Sequence, residues 1–100
     1  MIQVLVERDK RHIRKIEVSG HAMYDDYGKD IVCASASSIL YTSFNAILTF
    51  DKEALEVVSK EGYMCVVVKK FSEITDKLLD NLLEMLAQLA QQYPKNIKIK

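Results

Sequence analysis

The chain has 100 residues, enough for one domain with one core. Hydrophobic residues make up 49% and charged residues 28%, a globular balance that excludes a disordered chain. Lys and Arg total 14 against 14 Asp and Glu, so the formal charge is zero and a strongly basic nucleic-acid binder is excluded; 2 cysteines are too few for a disulfide scaffold.

The start, MIQVLVERDKR, lacks the basic residues, apolar run and small-residue cleavage site of a secretory signal. The expectation is a cytoplasmic protein with reduced thiols. Ile2, Val4 and Val6 alternate with Gln3, Leu5 and Glu7, the period of a strand. Residues 12–18 read as a second strand and residues 8–11 as the turn of an antiparallel hairpin. The basic cluster Arg8, Lys10, Arg11, Arg14 and Lys15 reads as a solvated tip, and His12 within it as a surface residue. Residues 20–30 then break the pattern, bracketed by Gly20 and Gly28, and read as a mobile loop.

Residues 31–50 carry no charge and are numerous enough to span a bilayer. Seven of these twenty are Ser, Thr or Asn, which favours a helix buried in protein over a membrane span. Ala36, Leu40, Phe44 and Ile47 share one helical face; Ser35, Ser38, Thr42, Asn45 and Thr49 share another. Surface helices normally expose Lys and Glu there, so the uncharged stripe predicts a central helix covered on most sides, with a second subunit as one candidate cover.

Residues 54–59 and 63–69 form a second strand pair around Lys60-Glu61-Gly62, with Cys65 read as core. Ser72 is placed to cap a helix running to residue 93. Its apolar positions Ile74, Leu78, Leu82, Met85, Leu86 and Leu89 recur at three and four, Glu73 and Asp76 suit the dipole of the first turn, and Pro94 closes it. The tail at 97–100 alternates and would add a short edge strand. The order ββαββα, with that short C-terminal strand, predicts a two-layer α+β fold: an antiparallel sheet with two helices on one face.

Cys33 falls at the predicted start of the first helix, where unpaired N–H groups and the helix dipole favour an anion. The same N–H groups, that of Cys33 among them, could hold the oxyanion of a tetrahedral intermediate. A thiol nucleophile needs a base within reach, and His21 opens the loop that ends at Cys33. The competing reading is a small buried hydrophobe at 33 and a loop histidine at 21. Asp30 has the spacing of an N-cap three residues before Cys33; it could instead orient His21 as the third member of a triad. His21, Asp25, Asp26, Asp30 and Cys33 could supply mixed metal ligands, but no C-x-x-C or H-x-x-x-H spacing supports a metal, and no glycine-rich phosphate loop supports a nucleotide cofactor.

The run SGHAMYDDYGKDIVCASAS resembles the signature of the bacterial ribosomal-processing cysteine protease family Prp. The matching residues are Gly20-His21-Ala22, Gly28, Asp30-Ile31-Val32-Cys33-Ala34 and Ser37, and the resemblance extends along the whole chain, 1–100, as one cysteine-protease domain. Ser35 and Ser38 depart from the pattern, standing where more Ala or Val is expected. The resemblance implies a cytoplasmic cysteine endopeptidase with Cys33 as nucleophile and His21 as base. Asp30, Ser37, Gly20 and Gly28 would support the site, without metal or cofactor. It implies a substrate, the N-terminal extension of a large-subunit ribosomal protein, cut after an aromatic residue during ribosome maturation. It also implies a homodimer with a flexible loop over the site, with no direct nucleic-acid or membrane partner. A non-enzymatic ribosome-assembly or adaptor module is the alternative, and it needs no reactive thiol.

Overall fold

Side-chain alternation along the sequence becomes two hairpins, β1 (Ile2–Asp9) with β2 (His12–Ser19) and β3 (Leu55–Lys60) with β4 (Tyr63–Val68). Between and after them run two 20-residue helices, α1 (Ile31–Phe50) and α2 (Glu73–Gln92), and the chain ends in β5 (Ile97–Ile99). This computed structural model describes residues 1–26 and 30–100.

The five strands form one sheet in the order β3-β4-β2-β1-β5. The two hairpins and the β2–β4 junction are antiparallel, while β5 lies parallel to β1 with Ile2 opposite Ile97. The sheet is therefore mixed, not antiparallel throughout as expected. The reason is geometric: a single helix between two strands returns the chain in its original direction, so α2 delivers β5 parallel to β4 and hence to β1. The expected ββαββα order and terminal strand are both present.

Ile13 and Ile16 are three residues apart on β2, yet both are buried. A β-bulge reconciles them: Glu7 pairs with Lys15 and Arg8 with Ile13, leaving Arg14 as the extra residue. That insertion resets which side chains face inward. Ile2, Val4, Ile16, Met64, Val66 and Val68 make the inner sheet surface. Against it pack Val32, Ala36, Leu40, Phe44 and Ile47 of α1 and Thr75, Leu79, Leu82, Leu86 and Leu89 of α2. Each large apolar side chain so buried contributes roughly 1.5–3 kcal/mol before chain entropy is set against it.

Four sequence expectations need correction. The stripe Ser38, Thr42, Asn45 and Thr49 of α1 is exposed in the single chain, with only Ser35 half-buried, so the fold of one chain does not itself cover that face. By length and composition α1 could cross a membrane, but its apolar stripe is spent on the sheet and α2. On α2 the inward face is rotated: Ile74 and Met85 are exposed, and Thr75 and Leu79 are buried. Thr75 tolerates burial because its hydroxyl accepts a 3.0 Å hydrogen bond from the Ser72 hydroxyl, while its amide donates to Ser72 Oγ. Cys65 is half-buried and not core, because Met64, Val66 and Val68 take the inner face of β4 and alternation turns position 65 to the open face. His12 is not a free surface residue: its Nδ1 lies 2.8 Å from Asp76 Oδ2 and its ring stacks on Phe71 at 4.4 Å, fastening the first hairpin to the start of α2.

Candidate active site

The site begins with the residue that starts α1. Asp30 has extended backbone and is 8% exposed. Its Oδ1 accepts hydrogen bonds from the amides of Val32 at 2.9 Å and Cys33 at 3.1 Å, the geometry of an N-cap. Its Oδ2 accepts from the amides of Tyr24 at 2.9 Å and Asp25 at 3.4 Å. Burial pushes the Asp30 carboxyl up, but the amides of Cys33, Tyr24, Asp25 and Val32 together outweigh it and hold the group below its ordinary 3.8. Both oxygens are occupied by backbone donors, so Asp30 acts as cap and loop clamp, and the triad role toward His21 is not what its contacts describe.

Cys33 is the third residue of α1 and is half-buried. Its Sγ accepts a hydrogen bond from the Ala22 amide at 3.3 Å. Its own N–H is taken by Asp30, and the Ala34 N–H by the Asp30 carbonyl at 3.1 Å. The expectation that the Cys33 amide would hold an oxyanion is therefore corrected: the cap has already used that donor.

His21 immediately precedes Ala22 and is exposed. Its ring lies against the β3–β4 turn, where a Cβ added to Gly62 would stand 3.2 Å from Nε2. Gly62 adopts φ +71°, and its carbonyl accepts from the Gly20 amide at 2.9 Å. Gly20 adopts φ +89° and approaches the Met1 carbonyl so closely that a Cβ would collide with it. Glycine at 20 thus permits the tight entry of the His21 segment, as only a residue without Cβ can. Gly62, read from the sequence simply as a turn residue, shapes the floor under the imidazole.

His21 and Cys33 line one open cavity of about 720 Å³. Ser37, one helical turn after Cys33, lines it too, and Lys60, Glu61 and Gly62 form the facing turn. Met23 sits on the rim, 77% exposed and at φ +59°, an uncommon conformation for a side chain of its size. Tyr63, also on the wall, is pushed up to about 12 by hydrogen bonding with Cys65 first and Glu17 next, so it stays protonated at neutral pH. Among the described residues no group of three or more His, Cys, Asp or Glu is arranged to hold a metal ion. Gly28 of the motif lies outside the described residues, as do its neighbours 27 and 29 of the 20–30 loop.

The far end of the chain completes the site. Asn96 Nδ2 donates to the Ala22 carbonyl at 2.9 Å, and Tyr24 meets Tyr93 edge-on at 5.2 Å. Neither contact has a local sequence signal, because the partners come from opposite ends of the chain.

The family model described as cysteine protease Prp matches residues 1–98. A ribosomal processing cysteine protease Prp of Staphylococcus aureus is 30% identical over 94 residues, covering 91% of this chain and 89% of that protein. The crystal structure of an essential ribosomal processing protease Prp from S. aureus with a covalently linked product peptide superposes with a TM-score of 0.92 at 29% identity, covering 100% of this chain and 98% of that one. A second S. aureus Prp structure, with a substrate peptide, superposes at 0.82 with 26% identity over 100% and 98% of the two chains.

Proposed function

Because the chain belongs to the cysteine protease Prp family, we propose that it is an endopeptidase working through a His21–Cys33 dyad. In this reading it removes the N-terminal extension of a large-subunit ribosomal protein during ribosome maturation, cutting after an aromatic residue. Its setting is the cytoplasm and its working form a homodimer. The observation that carries the proposal is the meeting of His21 and Cys33 on one open cavity, with the Ala22 amide on the sulfur. The ribosomal part follows the S. aureus relatives, a processing protease crystallised with substrate and product peptides.

The mechanism follows from these groups. His21 accepts the Cys33 thiol proton, and the sulfur attacks the scissile carbonyl carbon. The tetrahedral intermediate collapses with cleavage of the C–N bond, and His21 gives its proton to the departing amine. Water, deprotonated by His21, then attacks the thioester; the new carboxylate leaves and the thiol is restored. Asp30 holds its helix start and the 24–25 backbone in fixed relation throughout.

Incubation of purified Cys33→Ala and His21→Ala proteins with a peptide carrying the ribosomal extension tests the proposal. Both are expected to lose at least about a thousandfold in turnover, as when a nucleophile or its base is removed. Undiminished cleavage by either would overturn it.

A further inference from the structure

We infer that Asn96 is a positioning residue for the Cys33 nucleophile, acting through the backbone of Ala22. The inference rests on the reading of Cys33 as nucleophile. Ala22 is held on both sides of its Cα: its N–H, in the peptide shared with His21, donates to Cys33 Sγ at 3.3 Å, and its C=O, in the next peptide, accepts from Asn96 Nδ2 at 2.9 Å. A carbonyl oxygen only accepts, so the amide nitrogen of Asn96, and not its oxygen, must face it.

Asn96 is itself firmly placed. Its N–H donates to the Tyr93 carbonyl at 2.9 Å, and its C=O accepts from the Ile2 amide at 2.9 Å, beside the β1–β5 pairing. The side chain therefore projects from a turn fixed to the sheet and to the end of α2. Without it, the 21–24 stretch would keep its Asp30 anchor at Tyr24 but lose the one nearest the sulfur. The consequence is specific. An amide aimed at sulfur stabilises negative charge there, and the Ala22 amide is so aimed, whereas Asp30 has taken those of Val32, Cys33 and Ala34.

The test compares Asn96→Ala, Asn96→Asp and Asn96→Gln in the full-length protein. Asp has the same shape but, ionised, cannot donate; Gln keeps the donor on a longer arm. Iodoacetamide labelling near neutral pH is followed separately at Cys33 and Cys65 by peptide mass mapping. Peptide turnover is measured alongside. Asn96→Ala and Asn96→Asp are expected to slow Cys33 labelling about fivefold, the scale of one lost hydrogen bond, and to lower kcat similarly with KM within about twofold. Labelling at Cys65 should stay constant, and Asn96→Gln should recover part of both losses. Wild-type Cys33 labelling in Asn96→Asp overturns the inference, as does a parallel change at Cys65 or a Gln variant no better than Asp. If Asn96→Ala fails to fold, the isosteric Asp variant carries the comparison. The two proposals fail separately: peptide cleavage by Cys33→Ala removes the proposed dyad, whereas unchanged labelling in Asn96→Asp removes only the positioning role.

Discussion

Exchanging Asp30 for Asn separates two jobs that one carboxylate performs. Oδ1 caps α1 through Val32 and Cys33, and Oδ2 clamps the loop through Tyr24 and Asp25. Asn has one oxygen, so its NH2 must oppose one of these two donor pairs. Asn caps helices about as well as Asp, so the oxygen should stay on the helix and the clamp should open. The 2.9 Å bond from Tyr24 ends on a charged acceptor, while the 3.4 Å bond from Asp25 is long and weak. Loss of the pair, offset where the freed amides reach water, is expected to cost roughly 1–2 kcal/mol. For a chain of this size that lowers Tm by roughly 5–15 °C. Asp30→Ala removes the cap as well and should cost about 1 kcal/mol more. Turnover of peptide by Asp30→Asn should fall at least about tenfold, because the segment carrying His21 and the sulfur's amide donor loses an anchor. Circular-dichroism melts and peptide turnover on the three proteins check this. An Asn variant that melts and turns over like the wild type would refute the clamp, and an Ala variant no less stable than Asn would refute the separate cap.

The same carboxylate sets an acid dependence. Its folded pKa lies below the unfolded 3.8, so its contribution is complete above that value and is lost as pH falls through the folded one. Wild-type Tm should therefore drop more steeply below about pH 4 than that of Asp30→Asn, a difference read from melts across that range. Gly62→Ala forces a side chain into φ +71° and sets its Cβ 3.2 Å from His21 Nε2. About 1 kcal/mol of stability and a severalfold loss of kcat are expected, measured by melt and turnover. His12→Ala strips the partner from Asp76, whose Oδ1 is already buried without a hydrogen bond. It should destabilise by roughly 1–3 kcal/mol while the folded protein keeps turnover within about twofold; a large loss at full folding would instead bring His12 into the chemistry.

Local pattern carried the elements, and contacts between distant segments decided where it stopped. Alternation identified the hairpins, and the absence of charge together with Asp30 located α1 within a residue. The bulge at Arg14 was hidden because a spacing of three between Ile13 and Ile16 fits neither strand nor helix cleanly. The parallel edge at β5 depends on a crossover, which no window of residues encodes. His12 escapes local pattern for a similar reason: its charged neighbours describe the hairpin tip, while Phe71 arrives from just before α2 and Asp76 from its first turn. In the site, Cys33, His21 and Asp30 stand out because their chemistry is local to a short motif. Asn96 is invisible there, being an ordinary polar residue after a helix until folding lays it on Ala22.

The two helices begin differently, and the contrast bears on the sulfur. α2 carries Glu73 and Asp76 in its first turn, so the positive end of its dipole is met by two carboxylates. α1 carries no acidic residue in its first turn, and Asp30 at the cap is its anion. That carboxylate stands close to the sulfur of the proposed nucleophile. Four backbone amides converge on Asp30, and their dipoles offset part of its field. The cost of that arrangement is that the cap consumes the very amides a helix start would otherwise offer to a thiolate. The donor directed at the sulfur comes from outside the helix, the amide of Ala22, whose carbonyl is held by a side chain 74 residues further along the chain. A dipole alone would make the helix start weakly favourable to any anion; the aimed amide makes it favourable at one atom, and it is carried by the residue adjoining the imidazole of the proposed dyad.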